Sequence, residues 1–139
     1  MKITKIWFDG DYIYGRKEDG SECRQSLLWY RPLRAASDSQ RAQYRFGFDG
    51  IHWPELDVDI SFESFDYEDA EPSSMQRFFL THPEINVAGF ANSIGLNPSL
   101  LRNYINGVKK PSKEREATII QRIHSLGHEM ISIPSPAFL

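Results

Sequence analysis

Four side chains able to bind a metal or move a proton, His52, Glu55, Asp57 and Asp59, crowd eight consecutive positions inside "GIHWPELDVDIS". Imidazole and carboxylate groups are zinc ligands and the usual partners in acid/base catalysis. The spacing supports a plainer account. In a strand over "LDVDISF", Asp57 and Asp59 share one face while Leu56, Val58, Ile60 and Phe62 pack from the other, and Trp53 and Pro54 shape the bend before it. We read these residues first as a half-exposed strand, next as an acidic partner-binding surface of His52, Trp53, Asp57 and Asp59, and last as a metal or catalytic site. The chain has no nucleophile motif, phosphate-cradling glycine loop or paired-histidine metal signature. No enzymatic activity, cofactor or metal is therefore expected.

A second group of polar residues sits in "NPSLLRNYINGVKKPS", residues 97–112. Asn97 can cap a helix there, Pro98 suits its first position, Gly107 suits the left-handed residue past its end, and Pro111 blocks continuation. Leu100, Leu101, Tyr104 and Ile105 then form one apolar stripe. Ser99, Arg102, Asn103 and Asn106 fall on the opposite side, rich in hydrogen-bonding groups. Lys109 and Lys110 follow in the loop.

Composition limits what these groups serve. The chain has 139 residues, 40% hydrophobic and 25% charged, enough for one domain or two small ones. No stretch approaches the roughly 18 apolar residues of a membrane span, and "MKITKIWFDG" lacks a signal peptide's apolar core, so a cytoplasmic location is expected. Cys23 stands alone and reads as a partly buried small apolar residue. The formal charge of −3 hides an asymmetry. Residues 1–72 hold 9 Lys+Arg against 15 Asp+Glu, a balance of −6, whereas residues 73–139 hold 7 against 4, a balance of +3. The break falls at "FDYEDAEPSS", which reads as a linker, with the boundary near Pro72.

The elements follow from turn and capping chemistry. "KITKIWF", "YIYGRK" and "SECRQSL", separated by "DGD" and "EDG", predict a three-stranded meander. "PLRAASDSQRAQY" predicts one short helix capped by Ser37 or Asp38, and the run from Tyr44 to Phe65 returns to strand composition, broken by Gly47, Gly50 and Pro54. Beyond Pro72 the pattern is helical. "SSMQRFFLTH" opens with Ser73 and Gln76 at capping-box spacing. "NVAGFANSIG" starts at Asn86, places Val87, Phe90, Ala91 and Ile94 on one face, and stops at Gly95, three residues before the helix at Pro98. "SKEREATIIQRIHSLG" gives a fourth helix, capped by Ser112 and closed by Gly127. His82, His124 and His128 read as helix-end or surface residues. "EMISIPSPAFL" is β-prone at Met130 to Ile133, either an added strand or a frayed tail.

Residues 2–65 resemble a bacterial family known only as domain of unknown function 2442. The most specific part is "GIHWPELDVDIS", with the "DG" turns and "SLLWYRPL" also similar. Some members of that family carry a DNA-binding domain and others are encoded beside small toxin-like proteins, so the resemblance implies an antitoxin role with such a protein as partner. Two short helices joined by a tight Gly turn form a helix-turn-helix. Here "FANSIGLNPSLLRNYINGVKKPS" resembles the lambda repressor/Cro-like (XRE-type) regulators through Phe90, Ala91, Ile94, Gly95, Leu101, Tyr104 and the Asn106-Gly107 end. That resemblance covers roughly residues 73–127. It implies that the helix 98–105 reads the major groove. Ser99, Arg102, Asn103 and Asn106 then lie on the reading side, Arg102 matched to guanine O6/N7 and Asn103 to adenine. Asn86 would be a phosphate-contacting cap, with Lys109 and Lys110 beside the DNA backbone. Two departures from the family are Pro98, where a polar residue often begins the reading helix, and Gly89, which weakens the helix before it by about 1 kcal/mol relative to Ala.

The expected architecture is α+β: a small antiparallel-sheet domain over residues 1–71 for interaction or sensing, then an all-α lambda repressor-like helix-turn-helix domain over 72–139. The expected function is sequence-specific binding of double-stranded DNA by a homodimeric bacterial transcriptional regulator, held together by strand edges of the first domain and by the tail. The alternative is a protein-binding module or antitoxin in which DNA binding is secondary.

Overall fold

Two Asp-Gly steps turn the chain back on itself early, and the computed structural model, which describes residues 1–136, shows the result. β1 (Ile3–Asp9), β2 (Tyr12–Lys17) and β3 (Glu22–Ser26) form an antiparallel sheet in that order. Register sets Trp7 opposite Tyr14 and Tyr14 opposite Arg24, so these three share one face, while Ile6, Ile13 and Gln25 turn to the other. The α+β expectation for this half holds.

Between Tyr30 and Ala42 the chain makes two single helical turns, α1 (Arg31–Arg34) and α2 (Asp38–Arg41), in place of one helix. Ser37 interrupts them because it is extended, and it caps α2 through a reciprocal bond with Gln40. A second antiparallel sheet follows, β4 (Arg45–Phe46), β5 (Gly50–Trp53) and β6 (Val58–Ser61). Gly50 lies against β6 so closely that a Cβ would fall 2.5 Å from the Ile60 carbonyl oxygen. Backbone cannot move aside as a side chain can, so Gly50→Ala is expected to cost about 1–3 kcal/mol of stability, read as a lower denaturation midpoint.

Both sheets pack their apolar faces into one core. Ile13, Leu27, Leu33 and Ile51 are fully buried there, and Trp53 and Ile60 nearly so. The buried polar Gln25 is satisfied within it. Its Nε2 donates to Ser64 Oγ at 2.9 Å and its Oε1 accepts from Tyr30 Oη at 2.8 Å. Cys23 is half-buried beside this core, its Sγ donating to the Gly15 carbonyl at 3.5 Å.

The chain divides into two compact units, one spanning Met1–Ser73 and the other starting at Ser74. In the second, α3 (Ser74–Thr81), α4 (Val87–Ser93), α5 (Pro98–Ile105) and α6 (Lys113–Ile131) enclose a separate core. Ala91, Leu101 and Ile119 are its fully buried members, ringed by Phe79, Phe90 and Tyr104. Two expectations about the last helix are corrected. Gly127 does not close it, and Met130 and Ile131 are helical rather than β. Gly127 keeps a helical backbone because the turns before it are anchored by Ile123 and Leu126. The stop comes at Ser132, just ahead of Pro134 and Pro136, which cannot continue a helix. Ala137 to Leu139, the end of the β-prone tail, lie outside the described residues. Among the described residues, no helix is long and apolar enough to cross a membrane.

Candidate nucleic-acid interface

The geometry of α5 is set at both ends by its own sequence. Asn97 is extended and its Oδ1 accepts from the Ser99 and Leu100 N–H groups at 2.8 and 3.3 Å, with Pro98 filling the first helical position. At the far end the Val108 N–H donates to the Asn103 carbonyl at 2.9 Å and the Gly107 N–H to that of Tyr104 at 3.4 Å. This is a Schellman closure, and Gly107 supplies its left-handed residue at φ 77°. The turn before α5 is closed the same way. The Leu96 N–H donates to the Ala91 carbonyl at 2.9 Å, the Gly95 N–H to Asn92 at 3.2 Å, and Gly95 sits at φ 68°. Leu96 is then carried into the core.

Two such closures fix α5 against α4 with little freedom in the connection. Leu101, Tyr104 and Ile105 are buried, while Ser99, Arg102, Asn103 and Asn106 are exposed together on the other side. From α3, Gln76 Nε2 donates to the Tyr104 carbonyl at 2.9 Å and ties down the last turn. The Lys109 N–H also bonds the Asn103 carbonyl, at 3.2 Å, which folds the loop with exposed Lys109 and Lys110 back onto the end of α5. Asn86 caps α4, its Oδ1 accepting from the Gly89 N–H at 3.0 Å. The residue is otherwise exposed. Arg122 was not singled out from sequence. Its Nε donates to Ser93 Oγ at 3.2 Å and so links α6 to the end of α4.

The carboxylate-rich stretch of the first unit divides differently from the sequence reading. His52 and Asp59 are register partners on β5 and β6, with Nδ1 and Oδ1 2.6 Å apart on an exposed face. Asp57 is not on that strand face. It closes the turn Pro54–Leu56 in the left-handed region at φ 53°, because Pro54 starts a turn where the strand was expected and Asp tolerates that conformation. Trp53 is also corrected as a surface residue. It is 1% exposed, and its Nε1–H donates to the Arg41 carbonyl at 3.0 Å. The other edge of the His52 ring lies over Gly47, where even a Cβ would collide with it. That leaves a cross-strand hydrogen-bonded pair, without a nucleophile or a third ligand among the described residues. Among the described residues, no group of three metal-ligating side chains occurs. Burial pushes the Cys23 thiol above its ordinary value, which suits packing and works against nucleophilic attack.

One arrangement was missed from sequence. On the outer face of the first sheet, Trp7 and Tyr14 stack at 5.7 Å, the Arg16 guanidinium lies 5.5 Å from the Trp7 ring, and that of Arg24 lies 4.4 Å from the Tyr12 ring. The alternation of Trp7, Tyr12, Tyr14 and Arg16 along two strands carried the signal, but only the register joins them. The face is internally balanced, with Arg16 paired to Glu22 at 3.0 Å and the Tyr12 hydroxyl donating to Glu71 at 2.8 Å.

A protein-family model described as "Protein of unknown function (DUF2442)" matches residues 3–69, and the first unit is similar to that family. The match supports the N-terminal resemblance and does not reach the helical unit. Comparisons with curated proteins and with solved structures return no match.

Proposed function

We propose that the second unit is a lambda repressor-like helix-turn-helix module that binds double-stranded DNA sequence-specifically, with α5 in the major groove, and that the protein acts as a transcriptional regulator. The observation that carries this reading is the division of α5. An apolar stripe of buried Leu101, Tyr104 and Ile105, with partly buried Leu100, holds a short, doubly closed helix whose outer side is Ser99, Arg102, Asn103 and Asn106, with two lysines folded against its end. Arg and Asn are the side chains that pair bidentately with guanine and adenine edges, and Lys109 and Lys110 fit the phosphates alongside. On this reading Asn86, at the start of α4, donates to a further phosphate. The +3 balance of this half, 7 Lys+Arg against 4 Asp+Glu, supplies the attraction that the whole-chain charge conceals.

Titration of DNA fragments at several salt concentrations tests the reading. Lys109→Gln or Lys110→Gln is expected to weaken binding to all sequences alike and to lower the salt slope by about one per lost phosphate contact in each subunit. Unchanged slopes in both variants would reject the phosphate assignment. A second reading is a protein-binding module or antitoxin, with a small toxin-like protein as partner. The observation favouring it is the outer face of the first sheet, where half-buried Trp7, Tyr12 and Tyr14 stand with exposed Arg16 and Arg24, in the part similar to the family. A stable protein complex together with no sequence-selective DNA binding would favour that reading.

A further inference from the structure

The course of α6 past Gly127 brings two histidines together. A helix closed by Gly127 would carry His124 and leave His128 outside it, whereas the observed helix, Lys113–Ile131, carries both. Four residues apart, they share one helix face a turn from each other, with Cβ atoms about 5–6 Å apart. Both residues line one groove of about 350 Å³, whose remaining wall is Gly127, apolar side chains of α6 and Phe78 of α3. Among the described residues neither ring has a hydrogen bond or an ion pair, so no protein group there competes for its nitrogens. Gly127 keeps the space beside them open. A Cβ at this position would meet nothing within 4 Å, although glycine inside a helix costs about 1 kcal/mol relative to alanine.

We infer that His124 and His128 chelate one late first-row divalent cation, copper(II) in preference to nickel(II) or zinc(II). Two imidazoles at this helical spacing can turn their nitrogens onto a shared ion at roughly 2.0–2.1 Å, the distance that holds for zinc. Ligand chemistry selects the cation. Imidazole suits copper, nickel and zinc, and affinity at a given nitrogen site rises to copper and falls again at zinc. Calcium and magnesium need oxygen ligands instead, and Glu129, the one acidic residue in the last two turns of α6, is paired with Arg122 at 3.6 Å. No group of three His, Cys, Asp or Glu able to hold an ion occurs among the described residues, so the other coordination positions fall to water. The ion is therefore exchangeable, unlike one in a closed four-ligand structural site. Its effect on the fold is local. It ties residue 124 to residue 128 and so stabilises the end of α6, where Met130 and Ile131 are exposed. This binding does not depend on whether α5 reads DNA.

Titration calorimetry of the untagged full chain with copper(II), nickel(II), zinc(II) and magnesium tests this. Wild type should take one copper ion at the pair, nickel and zinc more weakly, and magnesium not at all. His124→Ala and His128→Ala should each weaken copper binding by about tenfold or more, because each removes one arm of the chelate. His82→Ala should not, since His82 stacks on Phe78 at 4.8 Å but does not line the groove. Spacing gives the sharper test. In His124→Ala, adding Ile131→His sets a pair at 128 and 131 on one face and should restore tight binding, whereas adding Met130→His, two residues from His128, should not. Both histidines are exposed, so the metal-free melting temperature of either alanine variant should stay close to wild type. Copper at roughly 100 times Kd should raise the wild-type melting temperature by about 5 °C or more and leave both variants unmoved. Copper binding by wild type no tighter than by His124→Ala or His128→Ala would overturn the proposal. So would equal rescue by Ile131→His and Met130→His, which would mean binding to exposed imidazoles whatever their place on the helix.

Discussion

Arg102→Ala is expected to weaken binding to the preferred DNA by about 1–3 kcal/mol per half-site, roughly five- to 150-fold, and to relax the preference at one base position. Arg102 is exposed on α5 beside Asn103, while its neighbour Leu101 is fully buried. One step along the helix thus separates a residue that holds the fold from one that can only act outward. Removing an exposed side chain usually changes stability by less than about 0.5 kcal/mol, so a large binding loss with an unchanged melting temperature would isolate a lost contact. The pattern of the loss matters as much as its size. A bidentate guanine contact predicts loss at one position in a selection from randomised sites, whereas a phosphate contact predicts a uniform drop with a lower salt slope. Equal affinity of wild type and variant for every sequence would remove Arg102 from the reading side.

Local chemistry made much of this structure readable. The Asp-Gly turns announce the meander, and Asn86, Asn97 and Ser112 cap α4, α5 and α6 through the side-chain oxygens expected of them. Gly95 and Gly107 sit at the left-handed positions that end two helices. Gly127 shows the limit of the same rule. A glycine ends a helix only when the chain beyond it leaves, and here the chain continues for another turn until the prolines intervene. The stretch from Trp53 to Asp59 failed for a related reason. Period-two alternation describes Val58 to Phe62 correctly, but Pro54 starts a turn that absorbs Glu55 and Leu56 and leaves Asp57 left-handed. Alternation cannot reveal where a strand begins when a proline precedes it. The outer face of the first sheet was hidden because it depends on register between strands, which no single run of residues contains.

Trp53→Ala is expected to cost about 3–5 kcal/mol, most of the stability of a unit this size, and to lower its melting temperature by well over 10 °C. Trp53 lies where the two sheets meet, opposite Val58 in register, with the Phe8 ring 6.5 Å away edge-on and the Tyr44 ring at 5.8 Å. Truncation removes the largest side chain of the core and strands the Arg41 carbonyl that its indole N–H satisfies. The two losses can be separated. Trp53→Phe keeps most of the apolar volume but not the donor, so it should cost less than the alanine variant and still more than a purely apolar swap. A residue serving a binding surface would behave otherwise: both variants would melt near wild type, and capture of a protein partner would fall. His52→Ala provides the contrast on the adjacent position of the same strand. Its side chain is half-exposed and pairs with exposed Asp59, so its removal should change stability by less than about 1 kcal/mol. If denaturation of the first unit shows Trp53→Ala near wild type and His52→Ala strongly destabilised, the sidedness of β5 described here is wrong. The expected order, a large loss at 53 and a small one at 52, leaves His52 and Asp59 as the part of this stretch available to a partner.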